Sequence, residues 1–112
     1  MTEDVDVTPE DTRARHERGE IQLVDVREDH EHAAGRIAGA RHLGLERLSA
    51  EADTIERERP VVFYCRVGAR SRMAADAFRR AGWDAYSMAG GLEAWHRGGL
   101  PLEPEGGRVA DH

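Results

Sequence analysis

The sequence contains no lysine, a single cysteine and no long apolar run, and each of these absences excludes a class of function. All 16 basic residues are arginine, so catalysis by a lysine amine, including Schiff-base chemistry, is excluded. The single cysteine, Cys65, excludes an internal disulfide, a C-x-x-C redox pair and a zinc site built on several thiolates. With no second thiol in this sequence, a group taken up by Cys65 has to leave to an outside molecule.

Length and charge narrow the possible partners. At 112 residues the chain fits one domain. The 16 basic and 22 acidic residues give a formal net charge of -6, which argues against nucleic acid or an anionic membrane as a partner. The acidic N-terminus has no apolar segment and no stretch is long enough to span a bilayer, so we expect a cytoplasmic protein.

Apolar, β-branched segments alternate with helical segments along the chain. Strands are predicted at 21–26, 41–43, 61–64 and 84–88. Helices are predicted at 9–18, around Leu45 and Leu48, at 71–81 and at 92–97. The alternation predicts an α/β domain with a mostly parallel central sheet and helices on both faces. Residues 1–103 are assigned to this domain, and residues 104–112 are expected to form a disordered tail.

Cys65 stands where the apolar strand 61–64 ends and a glycine-containing loop begins. Such a loop, placed before a helix, turns backbone N–H groups inward, and the helix N-terminus adds partial positive charge. A thiolate is an anion that this setting stabilises, and Arg66 and Arg70 add positive charge nearby. Cys65 is therefore predicted to be a nucleophile. The alternative is an inert cysteine that completes a core strand.

The spacing inside the loop bears on the chemistry. Four residues separate Cys65 from Arg70, whereas cysteine phosphatases place five residues between their cysteine and arginine and enclose a phosphate. A smaller ring of N–H groups suits one extra sulfur atom better than a tetrahedral phosphate. A small phosphatase or an arsenate reductase remains as an alternative.

Two histidines near the end of the first predicted strand raise the question of a metal site. His30 and His32 lie among acidic residues, but residues two apart do not face the same side of a helix. No third soft ligand is close in sequence. We therefore expect a solvated, charged helix start and no metal site.

Four segments occur in a fixed order and cover roughly residues 9–102. They are Leu23-Val24-Asp25-Val26-Arg27-Glu28, Gly35-Arg36-Ile37-Ala38-Gly39-Ala40, Cys65-Arg66-Val67-Gly68-Ala69-Arg70-Ser71 and Gly90-Gly91-Leu92-Glu93-Ala94-Trp95. Together they resemble the signatures of the single-domain rhodaneses, a family of sulfurtransferases. Two positions depart from the family pattern, because Arg36 stands where histidine is usual and Ala38 where proline is usual. Both lie away from the Cys65 loop.

The resemblance implies a two-step sulfur transfer with no metal or organic cofactor. Cys65 would take the outer sulfur of a donor such as thiosulfate, hold it as a persulfide and pass it to cyanide or a thiol. The resemblance also implies that the backbone of the loop binds the substrate sulfur, through Arg66, Val67, Gly68, Ala69, Arg70 and Ser71. Arg66 and Arg70 would attract the anionic donor.

Two further points follow from the same resemblance. Asp25 and Arg27 would support the site as a buried ion pair or a hydrogen-bonding hub, without touching the substrate. A sulfur carrier that exchanges persulfide sulfur with dedicated protein donors and acceptors is the main alternative to an enzyme acting on thiosulfate.

Overall fold

In the computed structural model, residues 4–112 are described, and they form a five-stranded parallel sheet with α-helices on both faces. The strands are β1 (Asp6–Val7), β2 (Gln22–Asp25), β3 (Arg41–His42), β4 (Val61–Tyr64) and β5 (Ala85–Met88). The helices are α1 (Pro9–Glu17), α2 (Asp29–Ala34), α3 (Leu45–Leu48), α4 (Ala69–Arg80) and α5 (Gly91–Arg97), with a 3-10 turn at Ala52–Thr54. The strand order is β1-β5-β4-β2-β3, which confirms the predicted α/β class.

β4 lies at the centre of this sheet and is covered on both faces. Val61 and Phe63 pack into the core that contains α4, whereas Val62 and Tyr64 pack into the core that contains α5. All four side chains are fully buried. This double burial explains why β4 reads as a continuous apolar run, as strands inside parallel sheets do. It also places Cys65, the next residue, at the carboxyl end of the most buried strand.

β1 and the start of α4 differ from the sequence-based expectations. β1 has only two residues and was not predicted, since it becomes a strand by pairing with Ser87 and Met88 of β5. α4 begins at Ala69, two residues earlier than expected, because Gly68 at φ +105° makes the turn that precedes it.

The segment beyond the assigned domain lies beside α2. Arg36 and Glu103 exchange backbone hydrogen bonds in an antiparallel bridge. The Arg108 N–H donates to the Ala34 carbonyl at 2.9 Å, and Ala110 is only 5% exposed. The boundary at residue 103 and the disorder of residues 104–112 remain predictions, and residues 1–3 of the assigned domain lie outside the described residues. Within residues 4–112, none of the helices has the length and apolar character needed to cross a bilayer.

Replacing Phe63 tests the importance of the core around β4. Phe63 is fully buried and meets Phe78 edge to face, with ring centroids 5.0 Å apart. We expect Phe63→Ala to lower the free energy of unfolding by about 3–5 kcal/mol because it leaves a cavity. Urea denaturation measures this loss. The control Met73→Ala changes a 63% exposed side chain and should stay within about 0.5 kcal/mol of the wild type; equal losses would contradict this packing.

Candidate active site

The thiol of Cys65 lies inside the loop that joins β4 to α4. Its Sγ accepts hydrogen bonds from the N–H groups of Gly68 at 3.1 Å and Ser71 at 3.4 Å. The Ser71 Oγ is 3.5 Å from the same sulfur and 2.7 Å from the Ser87 Oγ. Two backbone donors and a hydroxyl therefore converge on Sγ, and such a concave arrangement favours a bound anion.

The local sequence explains how these donors reach the sulfur. Gly68 adopts φ +105°, a left-handed conformation that glycine enters without a steric penalty. The turn at Gly68 directs the chain into α4, whose 12 residues start at Ala69. Ser71, in the first turn of α4, donates its N–H to the sulfur, so the N-terminal end of the helix faces Sγ. The helix dipole therefore adds partial positive charge beside the sulfur.

The start of α5 holds the other side of the loop. The Leu92 N–H donates to the Cys65 carbonyl at 2.8 Å, and the Glu93 N–H donates to the Arg66 carbonyl at 3.0 Å. Gly91 makes this approach possible, because a Cβ at that position would lie 2.5 Å from both carbonyl oxygens. The Gly90-Gly91 motif therefore acts on the Cys65 loop directly, through its backbone.

Both arginines of the loop are paired with carboxylates. Arg70 donates two hydrogen bonds to Glu31, at 2.8 Å and 2.9 Å. Arg66 donates to Glu93 at 3.1 Å and lies 3.8 Å from Asp111. These pairs balance much of the positive charge that the sequence places around Cys65.

Glu31 is a fully buried carboxylate at the centre of this arrangement. Its side chain accepts hydrogen bonds from Arg70 and from the Glu28 N–H. Burial favours the neutral acid, but these hydrogen bonds together outweigh it and hold the pKa of Glu31 below its usual range. Glu31 therefore fixes the Arg70 guanidinium from α2.

Asp25 and Arg27 form a buried ion pair at the end of β2, beside α2. Asp25 accepts hydrogen bonds from the Arg27 side chain at 2.9 Å and 2.7 Å, and its Oδ2 lies 2.8 Å from the His32 Nδ1. Arg27 also donates to the Gly35 carbonyl at 2.7 Å. Burial disfavours the ionised Asp25, yet the bonds from Arg27 and His32 prevail and lower its pKa. The pair thus joins the end of β2 to the C-terminal half of α2, through His32 and Gly35. α2 is the helix that carries Glu31.

The remaining loop residues differ in their surroundings. Val67 is 47% exposed, although it belongs to a loop whose cysteine is buried. Ala69 is exposed and is the first residue of α4. In the described part of the chain, no group of three or more histidine, cysteine or acidic side chains is arranged to hold a metal ion.

Sequence analysis did not identify Glu31, Glu93 or Ser87 as neighbours of the loop. Only Glu31 had a local signal, since Glu28 and Glu31 form a capping box at the start of α2. That pattern predicts a helix start but not a contact with Arg70, which lies 39 residues away.

Comparison with known proteins identifies the family. The rhodanese-like domain family model matches residues 8–98, and the chain belongs to this family. This confirms the resemblance inferred from the four sequence segments.

Individual relatives carry sulfurtransferase and other names. The chain is 34% identical over 99 residues to a thiosulfate sulfurtransferase GlpE of Actinobacillus succinogenes, a match covering 88% of this chain and 89% of that protein. It is 40% identical over 109 residues to the HTH-type transcriptional regulator Rv0324 of Mycobacterium tuberculosis, covering 89% of this chain. That match spans only 48% of the regulator, about half its length.

A solved structure supports the fold. The crystal structure of a rhodanese-related protein from Thermoplasma volcanium superposes with a TM-score of 0.84 at 24% identity. The match covers 91% of this chain and all of that one. This likeness supports the architecture.

Gly91→Ala tests the contact between α5 and the loop. Gly91 and Gly99 have similar left-handed conformations, with φ +61° and +81°, but a Cβ on Gly99 would meet nothing within 4 Å. Both substitutions introduce backbone strain, and Gly91→Ala also overpacks against the Cys65 and Arg66 carbonyls. We expect Gly91→Ala to lose about 1–3 kcal/mol more free energy of unfolding than Gly99→Ala. Equal losses in chemical denaturation would show that this contact does not constrain the loop.

Stability should fall in acid because Asp25 and Glu31 have lowered pKa values. Groups of this kind stabilise the fold above their unfolded pKa of about 4, and the contribution is lost as the pH falls through the lower folded value. Unfolding free energy measured from pH 6 downward should therefore decline below pH of about 4.

The paired replacement Asp25→Leu/Arg27→Met separates the contribution of Asp25 to the acid decline in stability from that of the other acidic groups. It removes both buried charges together, so neither is left without its partner. We expect a shallower acid decline in this variant and an unchanged decline in the exposed control Glu58→Gln. An identical acid profile in all three proteins would contradict the role assigned to Asp25.

Proposed function

We propose that this protein is a sulfurtransferase that moves a sulfane sulfur from a donor such as thiosulfate to an acceptor such as cyanide or a thiol. Membership of the rhodanese-like family and relatives named sulfurtransferase support this assignment. The observation that carries it is the Cys65 sulfur, which accepts the Gly68 and Ser71 N–H groups at the end of β4.

In the first step the Cys65 thiolate attacks the outer sulfur of thiosulfate. A new S–S bond forms to Sγ, the S–S bond within thiosulfate breaks, and sulfite leaves with the electron pair. Cys65 is left as a persulfide anion. The N–H groups of Gly68 and Ser71 stabilise sulfur-centred anions in the loop through fixed dipoles that need no rearrangement.

In the second step an acceptor attacks the terminal sulfur of the persulfide. Cyanide leaves as thiocyanate and a thiol leaves as a persulfide, and in both cases the electron pair of the broken bond returns to Cys65 as thiolate. The two steps balance without an added oxidant or reductant. Neither needs a metal or an organic cofactor.

The loop arginines contribute in this proposal mainly by holding the loop in shape. Arg70 is anchored by Glu31 and Arg66 by Glu93, so each guanidinium joins the loop to a different helix. Asp25 and Arg27 support the site indirectly, because they hold α2 in place and thereby position Glu31.

A persulfide carrier that serves protein partners is the second candidate function. The observation that favours it is the exposure of Val67, in the loop, and Met73, in α4, because exposed apolar side chains beside a reactive group are typical of protein contacts. The proposed location for either function is the cytoplasm, as expected from the sequence.

Intact-protein mass spectrometry tests the persulfide cycle. The reduced protein is incubated with thiosulfate, and cyanide is then added. We expect the wild type to gain one sulfur atom and to lose it again as thiocyanate appears, because Cys65 is both the acceptor of the first step and the leaving group of the second.

Cys65→Ser is the matched control and should gain no sulfur, since Cys65 is the sole thiol in the sequence. An assay with an aryl phosphate is expected to show no hydrolysis. Sulfur on Cys65→Ser would contradict the assignment of the nucleophile, and hydrolysis of the phosphate would favour the phosphatase alternative.

A further inference from the structure

The charge around the loop is less favourable to a small anion than its two arginines suggest. Glu31 neutralises Arg70, while Glu93 and Asp111 neutralise Arg66. Neither guanidinium is therefore a free cation. A doubly charged anion such as thiosulfate gains less from such paired arginines than from unpaired ones.

A cavity of about 760 Å³ opens beside the loop and adds more negative charge. Arg70 lines this cavity, together with the three carboxylates of Glu28, Asp29 and Glu46. His30 and His112 complete the polar lining. The Asp29 side chain is almost fully exposed, so its charge faces solvent at this entrance. The cavity next to the reactive loop is therefore acidic, and it favours basic groups.

An apolar groove of about 400 Å³ lies next to this cavity. It lies between α3 and α4, and its lining includes Leu48, Met73, Phe78 and Trp83. Leu45 lines both the acidic cavity and the groove, so the two share a wall. Met73 is 63% exposed, and it and Val67 of the loop, at 47%, are the two exposed large apolar residues in residues 4–112.

We propose that the acidic cavity and the apolar groove together form a docking surface for a partner protein that carries basic and apolar side chains around its reactive cysteine. The charge of Glu28, Asp29 and Glu46 selects the basic residues, and the groove beside Met73 receives the apolar ones. The inference rests on the proposed sulfur transfer and deepens it by naming the class of partner.

The transfer at this surface uses the same chemistry as the second step above. The partner thiolate attacks the terminal sulfur of the Cys65 persulfide, the bond between that sulfur and Sγ breaks, and Cys65 leaves as thiolate. The partner keeps the sulfur as its own persulfide. The same reaction in reverse describes a partner that acts as the donor.

The probes are three cysteine peptides of equal length. One carries lysine and leucine around its cysteine, the second replaces each lysine with glutamate, and the third replaces each leucine with serine. Cys65 is first loaded with sulfur and the loading is measured by mass, after which the initial rate of sulfur loss to each peptide is followed. Lysine also makes a neighbouring thiol more reactive in general. Each rate of sulfur loss is therefore divided by the rate at which the thiol of the same peptide reacts with an aromatic disulfide.

We expect the lysine and leucine peptide to react about tenfold faster than either of the others after this correction, a difference of about 1.4 kcal/mol. The variant Asp29→Asn/Glu46→Gln should lose the preference for lysine, and Met73→Ser should lose the preference for leucine. The matched control Asp53→Asn/Glu58→Gln alters two exposed acids that do not line either cavity, and it should behave as the wild type. The preference for lysine should also shrink as salt is added.

Equal corrected rates for the three peptides, or preferences that survive in the variants, would overturn the docking surface. So would a dimer in size-exclusion chromatography that Met73→Ser converts to a monomer, because a second copy of the chain would then occupy the groove. Failure of Cys65 to accept sulfur in the loading step is a separate result, and it would count against the proposed function itself.

Discussion

The orientation of the peptide groups around Cys65 is the constraint on which the site depends. The carbonyls of Cys65 and Arg66 face the N–H groups at the start of α5, and this leaves the N–H groups of Gly68 and Ser71 to face the sulfur. Only a glycine at position 91 allows the two backbones to come this close. The central strand, the left-handed turn and the start of α5 are therefore parts of one arrangement that surrounds a single sulfur atom with donors.

Charge provides the second constraint, and it acts through α2. Burying Glu31 is unfavourable by itself, but two hydrogen bonds from Arg70 and one from a backbone N–H compensate for the lost solvation. The Asp25–Arg27 pair holds α2 against the end of β2 in the same way. These contacts fix the shape of the loop and also neutralise its positive charge. The rigidity of the loop is thereby linked to the preference for basic partners that we propose.

Much of this could be predicted from the sequence, because it depends on local patterns. The apolar run of β4 predicts a central strand, and Cys65 with Gly68 three residues later predicts a loop that binds an anion. The contacts that hold the loop could not be predicted in this way. Arg70 meets Glu31 across 39 residues and Arg66 meets Glu93 across 27, and the sequence contains 22 acidic residues with no local signal to select either partner.

The most direct test of the claim that the loop backbone binds the transferred sulfur is a crystal structure of the protein after reaction with thiosulfate. We predict electron density for one additional sulfur bonded to the Cys65 Sγ, enclosed by the loop residues 66–71 and within hydrogen-bonding distance of their backbone N–H groups. The carbonyls of Cys65 and Arg66 should still accept the Leu92 and Glu93 N–H groups. An added sulfur that points out of the loop, or a loop whose carbonyls have turned toward it, would contradict this account.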